Sequence, residues 1–436
     1  MKNTKYVFLS LMALTLSACG GPNGGSGGGN NDNFELIDPS NTTMLTANCK
    51  AYVDAMREIR DSAEDPYKYH EISLDIEDSS KGFLDTGDVN GQNRTVSGSI
   101  PDRSDKSNGV ELKFNVKNPQ EDQEYTVMVS ENEDFSGNTK TYVTKNMSVT
   151  AYNLFVNTEY YWKVISGNEE SEVKSFTTGD YPRWILARSL TGEEGGRGIY
   201  NVRDMGGYMT ESGKRVKQGL VYRGGEITTM SSSGHYNTIT EVAKKAFRED
   251  MGMVGGVELD LRGASDISDN YKANGFAENG DIEYVQYAIK SYEQTFTQTR
   301  SYVAPIFEVL KNADSKPVYY HCFGGADRTG TIGFLLNGLL GVSYEDLVMD
   351  FELTSYSSIN NEHIRNHIDG KQHQYDRWPK LIQQLQEDTT GGYVWDEGVE
   401  EGEHLLLKEN IYNFLNKACG IPTTTLDTIR NIMLED

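Results

Sequence analysis

The sequence predicts an α/β domain, with a central and mostly parallel sheet flanked by helices, preceded by an all-β sandwich. Three stretches carry that prediction. Between Gly109 and Thr178 apolar residues alternate with polar ones, first Val110, Leu112, Phe114 and Val116, then Tyr125, Val127 and Val129. Period-two runs separated by turn-rich segments are the mark of antiparallel strands with one buried face. Gly256-Val257-Glu258-Leu259-Asp260-Leu261-Arg262 reads as a short buried strand. Pro317-Val318-Tyr319-Tyr320 is a β-prone run that enters a glycine-bearing loop, and an apolar run from Ile332 to Leu340 follows at once. Strand, tight loop and buried helix in that order are the unit from which parallel sheets are assembled.

The chain has 436 residues, room for two or three domains. Its formal net charge of -24 argues against nucleic acid and anionic membrane surfaces as partners. From residue 181 onward 25 Lys/Arg face 37 Asp/Glu, so the α/β part carries 25 − 37 = -12. A polyanionic substrate would need a local basic pocket against that field.

At the amino terminus Lys2 and Lys5 precede an apolar core, Val7 to Leu16, and then Leu16-Ser17-Ala18-Cys19. Residues 1–18 have the form of a secretory signal, too short in its apolar part to span a bilayer. The cleavage region resembles the bacterial lipobox. That resemblance implies an exported, bacterial protein with Cys19 lipidated and anchored to a membrane on its periplasmic or cell-surface side. Residues 19–33 are a Gly-rich tether with a reach of about 20 Å as a random coil. With Cys19 so used, Cys49, Cys322 and Cys419 remain. If Cys49 and Cys419 pair, or both lie buried, Cys322 is the reactive one.

Residues 34–105 form a region of uncertain structure, with helical spacing of Tyr52, Val53, Met56 and Ile59. The sandwich is expected over 106–179. Its stretch Leu154 to Val164 resembles the corner before the sixth strand of fibronectin type III domains, with Tyr160 at the tyrosine-corner position. The sandwich is read as fibronectin type III-like and as spacer or docking surface. Residues 181–436 hold the chemistry.

His321-Cys322 is followed by Phe323, Gly324, Gly325, Ala326 and Asp327, then by Arg328-Thr329-Gly330. Such a loop turns successive backbone N–H groups toward one anion at the positive end of a helix. A cysteine in that setting favours the thiolate, which can attack phosphorus. Arg328 offers a planar fork that matches two phosphoryl oxygens. Thr329 could donate its hydroxyl to the sulfur, and His321 could orient the loop through its ring.

His-Cys, five residues, then Arg-Thr-Gly resembles the signature loop of cysteine-dependent protein tyrosine phosphatases. Rhodanese-like sulfurtransferases, whose cysteine loop has another spacing, are a minor competitor. Asn201-Val202-Arg203-Asp204-Met205-Gly206-Gly207 with Tyr222-Arg223, the strand ending Asp260-Leu261-Arg262, and Asp350-Phe351-Glu352-Leu353-Thr354 resemble further motifs of a bacterial and fungal dual- and triple-specificity subgroup. The resemblance implies an α/β phosphatase domain that binds phosphate through residues 323–328. Its catalytic residues would be Cys322, Arg328, Asp327, Thr329 and His321. No cofactor is implied, and the scattered histidines, His363, His367 and His373 included, show no metal-ligand spacing.

The leaving oxygen needs a proton, and a nearby carboxylic acid is the usual donor. Asp327 is the first candidate, with bracing of Arg328 as its other reading. Asp260 is the second, and pairing with Arg262 is the more favoured account of it. Trp378-Pro379-Lys380 lies downstream of the cysteine and lacks an acid. The subgroup commonly has lysine where this chain has Ala326, which points away from phosphoinositides and toward phosphotyrosine. The expected function is therefore a protein tyrosine phosphatase. The alternatives are a phosphoinositide or inositol-polyphosphate phosphatase, or a phospho-ligand binding or adhesion protein on a phosphatase frame.

Overall fold

The computed structural model describes residues 33–45, 47–66, 109–185, 199, 201–227, 241–263, 280–356, 385 and 407–436. The signal, Cys19, the tether up to residue 32, Trp378 and the three histidines lie outside them.

Among the described residues, eight strands build the amino-terminal part: β1 (Phe34–Ile37), β2 (Val110–Val116), β3 (Tyr125–Ser130), β4 (Thr139–Thr144), β5 (Ser148–Ala151), β6 (Glu159–Ser166), β7 (Glu169–Glu170) and β8 (Lys174–Thr177). One sheet runs β1-β2-β5; the other runs β4-β3-β6-β7, with β8 also paired to β6. The alternation read from the sequence is the burial pattern observed, inward residues of β2 being Val110, Leu112, Phe114 and Val116. They meet Tyr125, Val127, Trp162 and Val164 of the other sheet in one apolar cluster. Tyr160 closes the corner, its hydroxyl accepting from the Phe155 N–H at 2.9 Å.

β1 pairs antiparallel with β2, Leu36 opposite Phe114, so the first sheet draws on a strand well before residue 106. A four-residue strand followed by a helix offers too short an alternation to be read from sequence. The helix α1 (Ala47–Ser62) goes elsewhere. Its Cys49, Tyr52, Val53 and Met56 enter the core of the α/β domain, Tyr52 donates to Glu352, and Arg60 pairs with Asp346 at 3.0 Å. Residues 34–66 are thus shared between the two bodies.

The α/β domain contains β9 (Arg203–Asp204), β10 (Val221–Gly224), β11 (Val257–Asp260), β12 (Glu283–Gln286) and β13 (Val318–His321), in the order β12-β11-β13-β10-β9. The pairs β12·β11, β11·β13 and β13·β10 are parallel, and β9 alone runs antiparallel, to β10. After the sandwich come the helices α2 (Glu241–Lys245), α3 (Glu293–Gln298), α4 (Val303–Leu310), α5 (Asp327–Leu340), α6 (Tyr344–Glu352), α7 (Leu407–Asn413) and α8 (Thr423–Met433). A strand covered on both faces is buried along its whole length and mostly apolar, and β13 is buried at all of its positions. Val318 and Tyr320 join α4 to α8 in the large cluster, while Tyr319 packs with Phe247 and Tyr222 on the other face.

The two bodies dock through polar groups that satisfy each other. The Gln218 amide accepts from the Val156 N–H at 2.8 Å and donates to the Val156 carbonyl at 3.0 Å. The buried Arg183 donates to Asp204 at 2.7 Å and to the carbonyls of Asn153 and Leu154. Replacing Gln218 by alanine orphans a buried donor and a buried acceptor at once, so Gln218→Ala should lower stability by about 1–3 kcal/mol. An unchanged midpoint of chemical unfolding would contradict that docking.

Candidate active site

The loop of interest leaves the carboxyl end of β13, the middle strand, between β10 and β11. In open parallel sheets this is where ligands bind. Gly224 and Asp260 lie level with His321 in register on either side. Cys322 is 2% exposed. The loop then turns through Gly325, whose φ is +69°, and enters α5 at Asp327.

Gly325 needs to be glycine twice over. Positive φ costs a side-chain-bearing residue about 1–2 kcal/mol. A Cβ there would also sit 2.4 Å from the backbone carbon of Gly224, which cannot yield without moving β10. Gly325→Ala should therefore displace the loop, and misplacement of about 1 Å costs on the order of 100-fold in rate. Steady-state turnover of Gly325→Ala within a few-fold of the parent would refute this.

A buried polar frame holds the loop from behind. Arg223 donates to the Gly325 carbonyl at 2.9 Å, and the Asn201 amide donates to the carbonyls of Gly324 and Gly325, both at 3.1 Å. With their carbonyls held outward, the loop's N–H groups are left to face an anion. Arg223 and Arg203 are in turn tied to one carboxylate, Asp350 of α6, Arg203 Nε to Oδ1 at 2.8 Å and Arg223 Nη1 to Oδ2. Burial pushes the Asp350 carboxyl up, but the two guanidinium groups overcome it and hold it below the usual carboxylate range.

His321 is fully buried. Its Nδ1 lies 3.1 Å from the Cys322 carbonyl oxygen and its Nε2 3.1 Å from Glu258 Oε1, and its ring stacks on Tyr319 at 5.5 Å. Its neighbour in register, Asp260, is committed to structure. Asp260 accepts from the Arg262 N–H, Nε and Nη2 at 2.8–2.9 Å and from the Tyr284 hydroxyl at 3.0 Å. Burial works to raise its carboxyl, yet His321 and Arg262 keep it below the ordinary range. These bonds fit the reading of Asp260 as the partner of Arg262 rather than as a proton donor.

Asp327 and Arg328 are partly exposed at the start of α5, and the Tyr292 hydroxyl donates to Asp327 Oδ1. Thr329 is fully buried in the first turn of α5, and among the described residues its hydroxyl has no hydrogen-bond partner. Such an orphan costs about 1–3 kcal/mol, and it suits a site whose ligand brings acceptor oxygens. Phe323 is 49% exposed. Its carbonyl accepts from the Glu226 N–H at 3.0 Å, so its ring lies at the rim. Gly324 and the buried Ala326 contribute only backbone.

Asn201, Arg203, Arg223 and Asp350 stood in the motifs without a role. Their signal was charge and amide placed within runs otherwise apolar, since buried charges are normally paired. Tyr292 carried no such signal.

A family model for the tyrosine phosphatase family matches residues 196–435, more than half of the chain. No curated protein matches it. Among solved structures, the crystal structure of the core catalytic domain of PP-IP phosphatase SIW14 from S. cerevisiae in complex with citrate is similar. The match has 15% identity and a TM-score of 0.24, covering 32% of this chain and 73% of that one.

Proposed function

The chain belongs to the tyrosine phosphatase family, and from that premise we propose that it hydrolyses phosphomonoesters through a cysteinyl-phosphate on Cys322, with phosphotyrosine in proteins as substrate. The observation that carries the reading is the braced loop. A cysteine at the end of the central parallel strand is followed by a glycine turn whose carbonyls are held outward by Asn201 and Arg223.

In the first step Cys322 Sγ bonds to phosphorus as the bond from phosphorus to the ester oxygen breaks. Arg328 and the loop N–H groups hold the three non-bridging oxygens, and Asp327 gives its proton to the departing oxygen. In the second step water attacks phosphorus, its proton passes to Asp327, and the sulfur leaves. The Thr329 hydroxyl, without an acceptor among the described residues, is the donor that stabilises that sulfur or a phosphoryl oxygen.

The substrate choice rests on Ala326, which puts no cation where the resembling subgroup carries lysine, and on the acidic charge of the region. The test is phosphate release from phosphotyrosine peptides, phosphoinositides and inositol hexakisphosphate, in reductant, by the parent and by Ala326→Lys. The reading expects preference for the peptide, with Ala326→Lys shifting turnover toward the inositol lipids. Preference of the parent for an inositol phosphate would overturn the substrate assignment and leave the chemistry standing.

Export and lipidation at Cys19 belong to the same proposal, supported by Leu16-Ser17-Ala18-Cys19. So does the fibronectin type III-like reading of the sandwich, supported by the Tyr160 corner. Loss of membrane association in Cys19→Ala is the expected result.

A further inference from the structure

We infer that Tyr292 is a positioning residue that sets the direction in which Asp327 delivers its proton, an inference that rests on the reading of Asp327 as the acid. Several observations meet at this one residue. The Tyr292 hydroxyl donates to Asp327 Oδ1. Its backbone N–H donates to Thr331 Oγ1 at 2.9 Å, and the Thr331 hydroxyl donates to the Asp327 carbonyl at 2.9 Å. Tyr292 is therefore fastened by side chain and backbone to the same turn of α5.

The ring is 1% exposed and meets Phe351 edge-on, centroids 6.0 Å apart. The backbone of Tyr292 stands at φ 52° and ψ -135°, outside the basins open to an aromatic residue. A conformation of that kind persists where its surroundings over-determine it, and such positions gather at functional sites. Here the surroundings are the two bonds to α5 and the packed ring.

The consequence is geometric. With Oδ1 accepting from the phenol, the plane of the Asp327 carboxyl is fixed, and the transferable proton is carried on Oδ2. As the sulfur–phosphorus bond forms, that proton passes to the leaving oxygen, the carboxylate remains, and the phenol keeps its own proton. How much this matters depends on the leaving group. A p-nitrophenolate departs with little help, whereas the phenolate of tyrosine needs the proton.

The experiment measures kcat and KM of the full chain on p-nitrophenyl phosphate and on a phosphotyrosine peptide, for Tyr292→Phe, Asp327→Asn and the double variant. General acids contribute about 100-fold or more, so Asp327→Asn should lower kcat on the peptide by about that factor. Tyr292→Phe keeps the ring and the backbone N–H. It should lower kcat on the peptide by roughly 10-fold and on p-nitrophenyl phosphate by roughly 3-fold or less, with KM on both within about 2-fold, a fraction of the acid's own effect. The double variant should be no slower on the peptide than Asp327→Asn, because the two act as one unit.

Equal losses on both substrates, or a further loss on top of Asp327→Asn, would make Tyr292 a merely structural residue and overturn the inference. A selective loss in Asp327→Asn with none in Tyr292→Phe would overturn it while sparing the acid. Peptide turnover undiminished in Asp327→Asn would remove the acid itself, and the role of Tyr292 with it.

Discussion

Replacing Cys322 by serine should cut phosphate release by about 10,000-fold or more while substrate binding persists, because removing a nucleophile abolishes the step that all other groups serve. Serine keeps the shape of the loop and the buried site, where Cys322 is 2% exposed. The braces from Asn201 and Arg223 act on the carbonyls of Gly324 and Gly325 rather than on the sulfur, so the anion cradle stays assembled. Phosphate release and equilibrium binding of a phosphotyrosine peptide, measured side by side, check both halves. Turnover near the parent level would remove the covalent route. Loss of binding together with turnover would show that the sulfur holds the loop open as well as attacking.

Asp350→Ala should be the most damaging change outside the loop. It leaves Arg203 and Arg223, both fully buried, without the carboxylate that pairs them, and uncompensated buried charge costs about 3–5 kcal/mol. Because Arg223 also holds the Gly325 carbonyl, turnover should fall with stability. The pH dependence has a definite sign. The folded Asp350 carboxyl ionises below its unfolded value, which is about 3.9. Its contribution is therefore whole above that value and is lost as pH falls through it toward the lower folded one. Chemical unfolding should show the parent losing stability below about pH 4 and the variant losing less over the same range. An acid limb of the same depth in Asp350→Ala would place the effect on other carboxylates, Asp260 among them.

What the sequence made legible is what is local. Nucleophile, arginine and glycines lie within seven consecutive residues, and the strand before them and helix after them are continuous apolar runs, so fold and chemistry could be read together. The same holds for β2 and β3, whose period-two patterns survive as buried faces. What stayed hidden is what needs distant partners. Arg203, Arg223 and Asp350 lie on β9, β10 and α6, and only the topology shows that one carboxylate serves two guanidinium groups behind the loop. The helical period of α1 was plain, but not that its Tyr52 would seek Glu352, 300 residues later in the chain. β1 is four residues long, and its membership of the sandwich is decided by pairing with a strand more than 70 residues later. Tyr292 is hidden for another reason, since a positive φ at an aromatic residue leaves no pattern in composition or period.

The most direct test of the central claim is to quench the full chain within its first turnovers of a phosphotyrosine peptide, under acid, and to map any covalently held phosphoryl group by peptide mass spectrometry. The account predicts one phosphoryl group on the peptide that carries Cys322, present in the parent, longer-lived when release of the thiophosphate is slowed, and missing in Cys322→Ser. Burst release of the dephosphorylated peptide with the phosphoryl group found on another residue, or on none, would contradict it.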